Sequence, residues 1–63
     1  MKLSKYDGLR VGIIDIDGQV FEGKAEYCYP EDNENGKESI VIETKTDKFI
    51  EFWEEDIKTI SVI

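Results

Sequence analysis

The sequence predicts an all-β domain: a small five-stranded antiparallel barrel preceded by a short N-terminal turn or helix. Three observations lead there. Apolar and polar residues alternate with a period of two through most of the chain, turn-forming clusters interrupt that alternation about every 8 to 12 residues, and helical periodicity is hard to find anywhere. A lone hairpin is marginal in water and unpaired edges invite aggregation, so five short strands are expected to close on themselves, with an open sheet as the competing arrangement.

The elements follow in order. Residues 1 to 8, MKLSKYDG, suit a single helical turn with Ser4 as a possible cap. LRVGIIDI, residues 9 to 16, is β-branched and apolar and ends at Asp17-Gly18, a hairpin signal. QVFEGKAEYCY, residues 19 to 29, places Phe21, Gly23, Ala25, Tyr27 and Tyr29 on one face, expected to be the core face, with Glu22, Lys24 and Glu26 on the other. Gly23 within it marks a bend, a bulge or a close backbone approach. Pro30 cannot donate to a ladder, so PEDNENGKE forms an exposed loop turning at Asn35-Gly36. ESIVIET, residues 38 to 44, is the third strand, with Ile40 and Ile42 opposite Val41 and Glu43. After a KTDK turn, KFIEFW buries Ile50 and Phe52 and turns Phe49, Glu51 and Trp53 the other way. DIKTISVI, residues 56 to 63, holds the final strand.

Sixty-three residues make one domain, 1–63, and so short a chain buries only about 60 % of the surface its unfolded form exposes. Cys28 is the only cysteine and histidine is absent, which excludes an intramolecular disulfide and the usual zinc ligand sets. A free thiol and no apolar run near residue 1 point to a reduced, cytoplasmic setting, and no segment approaches the roughly 20 apolar residues that span a bilayer. Fifteen acids against eight bases give a net charge of -7. Nucleic acids are bound first by neutralising phosphates, so this balance disfavours RNA, and the bases are scattered among acids rather than gathered into a patch.

Glu54, Glu55 and Asp56 interrupt the run between the last two strands. The first turn of a helical segment leaves backbone N–H groups unpaired, and acidic side chains suit that position. A one-turn 3₁₀ corner there, with Ile57 plugging one end of the barrel and Ile60 re-entering the sheet, resembles the last connection of SH3-like and Sm-like barrels. Gly18 and Gly23, five apart in IDGQVFEGKA, are similar to the turn glycine and bent-strand glycine of the first Sm motif, and Ile57 with Ile60 resembles the apolar pair of the second. The resemblance covers most of residues 9 to 63 and implies the barrel fold. Where Sm-like RNA binders carry an Arg-Gly or similar basic pair, this chain has Trp53 and Glu54, so the charge is reversed at that point.

No catalytic residue, cofactor or metal site is assigned. Asp15 and Asp17 of DIDG read as a turn at a strand end. Glu31, Asn33, Asn35 and Gly36 imitate the start of a calcium loop, but Ile42 stands where its bidentate glutamate belongs. Cys28, Ser4, Ser39 and Ser61 have no histidine to activate them. The candidate site is the outward row of the fourth strand and the acids after it: Phe49, Glu51, Trp53, Glu54 and Glu55, a surface for a protein partner or for self-association. Two arrangements are open for its rings, which either face solvent or lie beneath Leu3 and Tyr6 as a second, minor core. The alternative function is Sm-like RNA binding, with Trp53, Tyr27 or Tyr29 stacking bases and Lys24, Lys45 and Lys58 supplying charge.

Overall fold

The computed structural model describes residues 2–63. It contains a 3₁₀ turn η1 (Leu3–Tyr6), strands β1 (Arg10–Asp15) and β2 (Val20–Cys28), a second 3₁₀ turn η2 (Pro30–Asp32), strands β3 (Ser39–Glu43) and β4 (Phe49–Trp53), a third 3₁₀ turn η3 (Glu54–Asp56) and strand β5 (Ile57–Val62). The strands form one antiparallel sheet in the order β4-β3-β2-β1-β5.

Strand β2 shapes this sheet. Its first half, Val20 to Lys24, pairs with β1, and its second half, Lys24 to Cys28, pairs with β3. The two ladders meet at Lys24, beside Gly23. A methyl group on Gly23 would collide with the Glu43 carbonyl oxygen and Ile42 Cγ2 of β3, so only glycine permits β3 to fold this closely over the bend. The bend brings two half-sheets face to face. Val11, Ile13 and Ile57 from one half meet Ala25, Ile40, Ile42 and Phe52 from the other, and the Phe21 and Phe52 rings join edge to face at 5.1 Å.

The curl also follows from chain length. In a flat five-stranded sheet the edges lie about 19 Å apart, four strand spacings, yet Trp53 and Ile57 are joined by three residues that reach about 14 Å at most. The molecule measures 27 × 22 × 19 Å, far thicker than a single flat layer. Curling stops short of closure. β4 and β5 remain the two edges, and no ladder joins them, so the expected closed barrel is replaced by an open, strongly bent sheet. After η3 has turned the chain, β5 pairs along β1 from Asp15 to Val11 and, among the described residues, is the last strand on that side of the sheet.

The turns obey local chemistry. In the β1–β2 turn, Asp15 Oδ1 accepts hydrogen bonds from the backbone N–H of Asp17 (3.0 Å) and of Gln19 (2.8 Å), and Gly18 takes φ 84°. The Ile16 N–H donates to the Asp56 carbonyl (3.1 Å), tying η3 to this hairpin. The acidic 3₁₀ corner stands where expected, with Ile57 buried behind it and the half-buried Ile60 opposite Ile13.

Two further expectations are corrected, for Ser4 and Tyr29, and one open alternative, the cover over the β4 rings, is decided. Ser4 does not cap η1: it lies inside the turn, where its carbonyl accepts from the Asp7 N–H at 3.2 Å, and Lys2 occupies the cap position. Leu3 and Tyr6 do not cover Phe49 and Trp53. Leu3 is fully buried in the core, Tyr6 packs against the same cluster, and Phe49 stays 65 % exposed, because η1 packs on β2, where the Leu3 side chain joins the core. Tyr29 leaves the core face, since β2 ends at Cys28 and the Pro30 turn carries its ring outward.

Two substitutions test this packing. Gly23→Ala should destabilise the fold by about 3 kcal/mol, the upper end of the overpacking range, because its methyl meets backbone rather than a movable side chain. Leu3→Ala should lower stability by about 2 to 5 kcal/mol, and urea melts of both variants would measure the losses. A Leu3→Ala melt matching the parent would show that η1 is not part of the core.

Candidate functional site

The outer face of β2, β3 and β4 is a grid set by register. Lys24, Glu43 and Phe49 form one row, Glu26, Val41 and Glu51 the next, and Cys28, Ser39 and Trp53 the third. At the third row the loop after β2 folds down over the sheet. Asn33 Nδ2 donates to the Lys37 carbonyl (2.7 Å) and to Ser39 Oγ (3.3 Å), and Ser39 Oγ donates to Glu51 Oε2 (2.7 Å). Ser39 is therefore fully buried although it points away from the core, and its hydroxyl has a partner on each side. Asn33, considered above as a calcium ligand, instead stitches the loop to β3.

The expected contact residues share one edge of the sheet but divide between two grooves. Phe49 borders a groove of about 260 Å³ whose other walls include Asp7, Gly8, Lys24 and Glu26. Trp53, half-buried, forms the wall of a groove of about 410 Å³ with Lys37, Glu38, Glu54 and Glu55. Glu51 lies exposed between them on the same strand face. Lys37 Nζ lies 4.0 Å from Glu55 Oε1, with both side chains more than 60 % exposed, so this ion pair contributes at most about 1 kcal/mol.

Lys37, Glu38 and Asp7 were not anticipated. The register Cys28–Ser39–Trp53 brings Lys37 and Glu38 beside the indole, and it becomes visible only when the path of the preceding loop is known.

The residues proposed for base stacking do not converge. Lys24 stands on β2 in the Phe49 groove, Lys45 lies in the β3–β4 turn, and Lys58 is on β5 at the opposite edge of the sheet. Tyr27 and Tyr29 meet nearly perpendicular, 4.8 Å between centroids at 84°, so they present no common plane. The Tyr27 hydroxyl donates to Glu38 Oε2 at 2.8 Å. Among the described residues, no group of three or more His, Cys, Asp or Glu is placed to hold a metal ion.

The Glu38 hydrogen bond, followed by desolvation and by the charge of Glu38 itself, pushes the Tyr27 phenol from its ordinary value of 10 up to about 12. The folded form thus holds this proton more tightly than the unfolded chain. Its stabilisation is complete below pH 10 and disappears as pH rises through about 12. The melting-temperature difference between the parent and Tyr27→Phe should therefore be constant up to about pH 10 and shift against the parent as pH rises toward about 12. A difference independent of pH would show that the bond to Glu38 is absent in solution.

Comparison with known proteins returns no match, whether against family models, curated proteins or solved structures.

Proposed function

We propose that this chain is a non-enzymatic protein-interaction or assembly module of the SH3-like or Sm-like kind, with Phe49, Glu51, Trp53, Glu54 and Glu55 as its contact surface. The observation that carries the reading is the state of β4. It is an edge strand, laddered to β3 on one side only, and it holds two outward aromatic rings that border separate grooves: Phe49, 65 % exposed, and the half-buried Trp53. Edge strands are ordinarily blunted, and aromatic residues at grooves dominate the energetics of protein recognition. The strand order and the bent β2 support the barrel-type kinship.

The polar groups around the grooves suit binding better than catalysis. Ser39 is held between Asn33 and Glu51, and the Tyr27 phenol, raised to about 12, keeps its proton at neutral pH. The lone thiol, Cys28, fits a reducing, cytoplasmic setting. RNA binding has less support, because its candidate lysines and tyrosines are dispersed around an acidic molecule. Self-association is a second reading, favoured by β5: it is the other free edge, and Val62 and the terminal Ile63 are each 57 % exposed.

Panning a random peptide display library on the immobilised chain, alongside native mass spectrometry with and without oligouridine, tests the proposal. Recovered peptides should lose at least tenfold in affinity for Phe49→Ser or Trp53→Ala, and oligouridine should not be retained. Retention of oligouridine that weakens steeply with salt, or peptides indifferent to both substitutions, would overturn it.

A further inference from the structure

Resting on that reading of β4, we infer that its partner is an extended basic segment. The segment adds as a sixth strand to the β4 edge and lays a lysine or arginine side chain in the groove beside Trp53.

The backbone supplies the first half of the argument. In the β3–β4 turn, the Asp47 N–H donates to the Thr44 carbonyl (3.1 Å), the Thr44 N–H donates to the Lys48 carbonyl (2.9 Å), and Asp47 takes the left-handed φ of 59°. This is a three-residue hairpin loop, and it sets the phase of the ladder that follows. Bonded and non-bonded pairs alternate in an antiparallel ladder. Counting from Thr44 and Lys48, the pairs Ile42–Ile50 and Ile40–Phe52 are the bonded ones. The N–H and C=O groups of Phe49, Glu51 and Trp53 therefore point away from β3, toward the open edge. These same residues place their side chains on the outer face. A strand laid along the edge bonds to those groups and sets its alternate side chains about 5 Å from Phe49, Glu51 and Trp53.

Charge selects what those side chains are. Glu51 lies midway along the row, Glu38 and Glu55 flank the indole, and Lys37, the one cation among the described residues that line that groove, already lies beside Glu55. A cation placed there has an indole face and carboxylates within reach together, in a groove of about 410 Å³ that holds a long side chain. The intervening side chains of the added strand turn toward half-buried Ile50 at the rim of the core, where apolar residues fit. The segment is thus basic and apolar in alternation, with its cations opposite Glu51 and Trp53. A second copy of this chain is the poorer occupant, because it brings a net charge of -7 to the same surface and only Lys58 as a cation on its free strand.

Trp53, the only tryptophan, reports the event by fluorescence. The probe is a synthetic peptide alternating lysine with valine; the controls are its glutamate–valine counterpart, a block-scrambled peptide of identical composition, and two forms N-methylated at every second residue, one set in each phase. The alternating lysine peptide should shift the Trp53 emission and bind at least tenfold more tightly than the glutamate or scrambled peptide. Glu51→Gln, whose amide oxygen still accepts from Ser39, should weaken it three- to tenfold. N-methylation should abolish binding in one phase and spare it in the other. Equal binding by the scrambled peptide, or indifference to both N-methyl phases, overturns the inference. So does a concentration-dependent oligomer of the free chain, seen in sedimentation, that buries Trp53. If display peptides that depend on Phe49 and Trp53 are acidic or neutral, this inference fails while the interaction reading stands. If no peptide depends on either ring, both fail.

Discussion

Contact between Gly23 and β3 is the constraint on which the structure depends. With no side chain at that position, the Glu43 carbonyl and the Ile42 side chain come closer to β2 than any L-residue allows, and β2 can serve two ladders that face in different directions. A sheet bent in this way encloses its own core and needs no second layer. In a chain of 63 residues with one cysteine and no histidine, that is how eight apolar side chains among the described residues reach nearly complete burial.

The bend has consequences at both ends of the chain. It leaves a mouth that Leu3 fills, so a segment that would otherwise fray is fastened by apolar burial and by hydrogen bonds on either side of Gly8: the Gly8 N–H donates to the Ala25 carbonyl and the Ala25 N–H to the Leu9 carbonyl, both at 2.8 Å. It also carries β4 near enough to β5 for three residues to connect them, yet not near enough to pair. Two edges stay open in a molecule that would hide both if its sheet closed. They differ in character: β5 ends in exposed aliphatic residues, whereas β4 turns two aromatic rings and the Glu51 carboxylate outward and is followed by the three acids of η3. The hydrogen-bonded chain from Asn33 through buried Ser39 to exposed Glu51 fixes the loop against the outer face of β3 and β4, so the Trp53 groove has one wall held by hydrogen bonds. A rigid wall reduces the ordering entropy that a partner must overcome on binding.

The strand row of the candidate site was legible from sequence because a period of two is strict: once Ile50 and Phe52 are assigned to the core, Phe49, Glu51 and Trp53 must face outward. The acids of η3 were legible for a related reason, since a run of three carboxylates cannot be buried in a strand. Lys37 and Glu38 were not, because residues 29 to 38 have no periodicity and their path is set by the Asn33 and Ser39 hydrogen bonds to groups up to 12 residues apart. Whether Leu3 would cover the rings of β4 was open in the sequence, since an apolar residue in a short polar segment gives no sign of which opening it will fill.

What the sequence alone determined is local: five strands, their inward and outward faces, the glycine at the bend, the acidic corner and the acidic surface. Each is governed by alternation, turn chemistry or charge, which act over a few residues and survive in any arrangement of the whole. Only the tertiary structure decided that the sheet stays open, that Leu3 enters the core, and that the rings of β4 border separate grooves. Those outcomes turn on distances between segments remote in the chain, and such distances are set by how tightly the backbone folds over at Gly23, a packing balance that no local pattern encodes.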